Sequence, residues 1–76
     1  MDKGEKKMET FELMYASGGH GGPYMDLKDA VSNAKRIIEG YKNDKFFTVY
    51  VVPRNKVLIF DNAICIVTRD YVRYKI

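Results

Sequence analysis

The chain reads as an α+β domain, with a single helix packed on one face of a mostly antiparallel four- to five-stranded sheet in the order β-α-β-β-β. Three observations predict this. One long segment repeats its apolar residues at spacings of three and four, the segments on either side repeat theirs at two, and 76 residues leave room for one core and one helix.

The first strand is "ETFELMYA", beginning at Glu9, where Phe11, Leu13 and Tyr15 alternate with Thr10, Glu12 and Met14. "ASGGHGGP" follows. Its glycines, Gly18, Gly19, Gly21 and Gly22, surround His20, the single histidine, and a backbone this free of side chains predicts a flexible loop. The helix comes next, in "DLKDAVSNAKRIIEGYK". Leu27, Ala30, Val31, Ala34, Ile37, Ile38 and Tyr41 share one face, while Lys28, Ser32, Lys35, Arg36 and Glu39 face water. Asp26 is the expected N-cap, Asp29 adds negative charge to the first turn, Met25 staples against Ala30, and Gly40 with Asn43 ends the helix.

The remaining residues return to period two and to β-branched content: "FFTVYVV", the turn "PRNK", "VLIF", the turn "DN", then "AICIVT". These predict a β-meander, and "RDYVRYKI" is a bent continuation or a fifth short strand. A right-handed crossover through the helix makes the first two strands parallel if they are neighbours in the sheet. Residues 1–8 carry mixed charges and no periodicity, so a disordered tail is expected before a single domain spanning 9–76. Gly4-Glu5, two codons upstream of Met8, leave Met8 open as a second start site beside Met1.

One helix covers one face of a sheet. The strand "FFTVYVV" is apolar on both faces, with Phe47, Val49 and Val51 opposed by Phe46, Tyr50 and Val52, and "AICIVT" repeats the pattern with Ile64 and Ile66 against Cys65 and Val67. Burying each such side chain is worth about 1.5 to 3 kcal/mol, so a covering partner is expected for the second face. Which parity of the second strand faces the helix is open.

Composition narrows the function classes. The chain is 46% hydrophobic and 13% aromatic, which excludes a disordered protein. One cysteine, Cys65, forms no disulfide within the chain and points to a reducing cytoplasm. No segment resembles a signal peptide or approaches the roughly 20 apolar residues of a membrane span. A net charge of +3 permits an acidic partner but is not the dense basic stripe of a dedicated nucleic-acid binder.

No catalytic constellation emerges. The glycine segment lacks the lysine and hydroxyl residue of a phosphate loop and also lacks a GxGxxG pattern, and Asp26 and Asp29 already occupy the positive helix end that an anion would seek. His20 has no second histidine or cysteine pair to complete a metal site, and Cys65 lies in an apolar strand where a thiol packs inertly. No enzyme activity, small-molecule substrate, metal or cofactor is expected.

The expected function is therefore protein interaction. The chain would act as an adaptor or inhibitor of a larger cytoplasmic protein, or as a homodimer, through an aromatic sheet face with anchors among Phe46, Phe47, Tyr50, Tyr71 and Tyr74. The alternative is a single-stranded nucleic-acid binder in which Arg54, Lys56, Arg69, Arg73 and Lys75 flank stacking tyrosines, although no segment matches the RNP1 pattern. Small basic domains of this kind are common among accessory proteins of mobile elements, an expectation from size and simplicity alone.

Overall fold

The computed structural model describes residues 10–44 and 46–75. The expected tail, residues 1–8, lies outside them. The elements are β1 (Phe11–Tyr15), β2 (His20–Tyr24), α1 (Leu27–Gly40), β3 (Val49–Pro53), a 3₁₀ turn (Phe60–Asn62), β4 (Cys65–Val67) and β5 (Val72–Tyr74). They form one helix against a five-stranded sheet of order β2-β1-β3-β4-β5, with every neighbouring pair antiparallel. The order β-α-β-β-β is kept by β1, α1, β3, β4 and β5, and β2 is added before the helix.

The added strand corrects the flexible-loop expectation. His20, Gly21 and Tyr24 pair with β1, opposite Met14, Leu13 and Phe11, and Gly22 lies at the register shift between them, so only Gly18 and Gly19 belong to the turn. The glycines have separate causes. Gly18, at φ +112°, takes the positive dihedral of the tight turn, which is closed by hydrogen bonds from the Tyr15 N–H to the Gly19 carbonyl (2.8 Å) and from the Gly18 N–H to the Tyr15 carbonyl (2.9 Å). Gly21 instead makes space: a Cβ there would lie 2.5 Å from the Tyr15 hydroxyl oxygen and 3.5 Å from the ring carbon that bears it. The tyrosine lies over the glycine strand.

The hairpin also decides strand direction. Because the chain reverses at residues 16–19 before entering the helix, β2 and β3 run parallel to each other and flank β1 on either side. The expected parallel pairing of the first two sequence-predicted strands is therefore wrong. Those strands are β1 and β3, and they pair antiparallel from Phe11↔Pro53 to Tyr15↔Val49. The helix joins β2 to β3, not β1 to β3.

Helix α1 starts where the sequence places it. Asp26 is extended (φ −140°, ψ 165°) and its carboxylate accepts from the Asp29 N–H at 2.8 Å. Ala30, Val31, Ala34 and Ile38 are buried against Phe11, Leu13, Val49, Val51, Cys65 and Val67. Two alanines at the contact let the helix axis approach the sheet closely. Phe47 completes this core, stacked on Tyr41 with ring centroids 4.1 Å apart and planes 8° from parallel.

"VLIF" is not a strand. Its backbone groups are satisfied locally: the Ile59 N–H donates to the Val57 carbonyl, the Asn62 N–H to Ile59, and the Ala63 N–H to Phe60, while the Asn62 side-chain amide donates to Val57 at 2.7 Å. With its hydrogen bonds turned inward, residues 54–64 fold back as a flap on the sheet face opposite the helix.

The Tyr15–Gly21 contact yields a stability prediction. Gly21→Ala is expected to cost roughly 1 to 3 kcal/mol by overpacking, and Tyr15→Phe, which removes the nearest atom, should recover most of that loss in the double variant. Urea unfolding of the wild type and the three variants checks this.

Candidate protein-binding face

Helix α1 seals one side of the sheet and leaves the other to the flap. The even-numbered residues of β3 point away from the helix, and the register carries that face across all five strands in one row: His20, Met14, Tyr50, Ile66, Arg73. The three central side chains are half-buried and the two ends are exposed. Polar tips thus bound an apolar stripe.

The flap covers one flank of this row. Val52 is wholly buried although it faces away from the helix, and Ala63 is buried with it. Phe60 tilts against Tyr50 at a centroid distance of 4.7 Å and remains 55% exposed, with Val57 and Ile59 also open to solvent. The turns of the flap hold these large apolar side chains in water. At the other end of the face Phe46, 83% exposed, borders a shallow depression with Thr48, Arg69 and Tyr71.

The five aromatic anchors expected from sequence divide accordingly. Tyr50 is at the centre of the open face, and Phe46 and Tyr71 are brought together at its end. Phe47 is corrected: at 2% exposure it belongs to the core, because its parity with Val49 turns it towards the helix. Tyr74 also leaves the set, since pairing with Cys65 puts it on the helix side. Met14, Ile59, Phe60 and Ile66 join the surface. Period two in β1 and β4 carried the signal for Met14 and Ile66, whereas nothing local marked Phe60, which the fold of the flap sets against Tyr50.

The five expected nucleic-acid cations do not form one patch. The Arg54 guanidinium stands 3.5 Å from the Glu12 carboxylate, beside the turn in which Lys56 closes on Pro53. Arg69 is at the opposite end of the sheet, where its guanidinium donates to the Tyr41 and Lys42 carbonyls at 3.1 and 3.0 Å. It closes the C-terminus of α1, whose last turn carries no basic residue of its own. Arg73 and Lys75 lie along the β5 edge.

His20 is exposed on the edge strand, beside Met14. Among the described residues no three His, Cys, Asp or Glu side chains gather closely enough to hold a metal ion. Burial pushes the Cys65 thiol above its ordinary value, and it also raises Tyr15, with further contributions from Tyr24 and Tyr41. No helix among the described residues is long and apolar enough to cross a membrane. No protein-family model, curated protein or solved structure matches the chain.

Two outcomes test these assignments. Arg69→Ala should lower stability by roughly 1 to 2 kcal/mol, since the Lys42 carbonyl loses its guanidinium donor and the Tyr41 carbonyl keeps only the Asp44 N–H, and thermal unfolding reads the loss. For Cys65 the folded chain keeps the proton that the unfolded chain releases, so stability present below the ordinary thiol range falls as pH rises through it. Cys65→Ala should flatten that fall in urea titrations between neutral and mildly alkaline pH.

Proposed function

We propose that this protein is a small binding module that engages another protein through the sheet face opposite its helix. One observation carries the reading: the half-buried row Met14, Tyr50 and Ile66 continues into the exposed Phe60 and Ile59, and among the described residues no element beyond the flap covers it. The composition of this patch, aromatic and aliphatic at the centre with His20 and Arg73 at its ends, is that of an interface core with a polar rim. An adaptor or inhibitor role, or self-association, follows from such a face. A reducing intracellular setting accords with a single buried thiol.

The nucleic-acid reading is the weaker one. A single-strand binder needs cations beside its stacking rings, and here Arg54 is paired with Glu12 while Arg69 is committed to the helix end.

A photocrosslinking amino acid at position 50, compared with one at Arg36 on the helix exterior, tests the proposal in the native host. Protein adducts at position 50 and none at position 36 are expected, with Ile66→Arg suppressing them while circular dichroism is unchanged. Light scattering separates a second copy of the chain, seen as a salt-insensitive dimer, from a larger partner. Adducts to nucleic acid alone, or equal adducts at both positions, would sink the reading.

A further inference from the structure

Helix α1 packs over β2, β1, β3 and β4 and leaves β5 beside it. Along the seam between α1 and β5 run two grooves of about 490 Å³ each, and Lys35 belongs to both. Val31, Ile38 and Val72 give the seam an apolar floor, and Tyr74, half exposed, stands over its end. The two grooves meet at Lys35.

β5 is also an edge of the sheet, and among the described residues no strand pairs with its outer side. The Thr68 N–H donates to the Tyr71 carbonyl and the Lys75 N–H to the Ile64 carbonyl. Antiparallel alternation then turns the backbone N–H and C=O groups of Val72 and Tyr74 outward. Their side chains meanwhile face the seam.

Charge selects the occupant. Lys28, Lys35 and Lys42 are seven residues apart, form one stripe, and all border the seam. Arg73 and Lys75 flank the other side of the same edge, while Glu39 and Asp70 are the carboxylates at the groove. A second copy of β5 would set cation against cation, which destabilises a strand pair. An extended segment with carboxylates meets attraction on both sides.

We propose that β5 is a docking edge for an extended acidic segment of a partner protein, added as a sixth strand. Apolar side chains of one parity would enter the seam over Val31, Ile38 and Val72, and carboxylates of the other parity would meet Arg73 and Lys75. The outward amides of Val72 and Tyr74 supply the backbone ladder, which polypeptide can complete and nucleic acid cannot. This edge meets the open face at Arg73, but the argument for it does not rest on the reading of that face.

The test is an amide NMR titration of the full chain with a short capped peptide of alternating glutamate and valine. Shifts are expected at residues 71–75 and along the lysine stripe, with Met14, Tyr50 and Ile66 unmoved. A lysine-valine counterpart, and the acidic peptide N-methylated at every second residue, should each bind roughly ten-fold or more weakly. Tyr74→Pro removes an outward donor without touching an inner hydrogen bond and should weaken binding similarly. The proposal is overturned by undiminished binding of the N-methylated or lysine peptide, by shifts confined to the open face, by oligothymidine shifting the same amides more strongly, or by no shift at the solubility limit of the acidic peptide.

Discussion

A sheet has two faces, and among the described residues one α-helix is there to cover them. Everything else follows from that imbalance. Ala30 and Ala34 bring α1 close to Leu13, Val49, Val51 and Cys65, so the helix side becomes a dense core of small and branched side chains. The other side has to be managed by loop. Residues 54–64 do this partially, burying Val52 and Ala63 but leaving Phe60, Ile59 and Val57 in water.

The hairpin of β1 and β2 has the complementary role of setting the chain's direction into the helix. Its glycines look like a mobile or ligand-cradling loop when read singly, yet Gly18 serves a turn and Gly21 makes way for Tyr15. Tyr15 in turn packs near Phe47, whose ring stacks on Tyr41 at the end of α1. A tyrosine from β1 thereby connects the glycine strand with the helix terminus.

The far end of the helix is secured from a distance. No cation lies in its last turn, and the guanidinium that meets the Tyr41 and Lys42 carbonyls comes from the turn between β4 and β5. Arg69 therefore docks that hairpin onto α1 as well as neutralising a helix end. The same arrangement places β5 alongside the helix without tucking it beneath, which is why a seam remains between them.

The sequence by itself determined the helix, its Asp26 cap and buried face, strands β1, β3 and β4, the alternative of a short fifth strand, and the surplus of apolar surface that one helix could not cover. These are local or periodic properties, set by a capping carboxylate, by spacings of three and four, and by alternation. Only the tertiary structure decided the rest. Strand β2 was hidden because glycine and proline carry no strand propensity, and its pairing depends on Tyr15. "VLIF" has strand composition but satisfies its backbone through turns that Asn62 completes. Phe46 and Phe47 are chemically identical neighbours, and the register against β1 and β4 alone sends one to solvent and the other to the core. Arg69 resembled a free surface cation because its acceptors lie 28 and 27 residues away. The misses have two physical causes: for Phe47 and Arg69 the deciding contact joins residues distant in the chain, and for β2 and "VLIF" it is a specific side-chain contact, Tyr15 over Gly21 and Asn62 on Val57, that propensity and periodicity do not register.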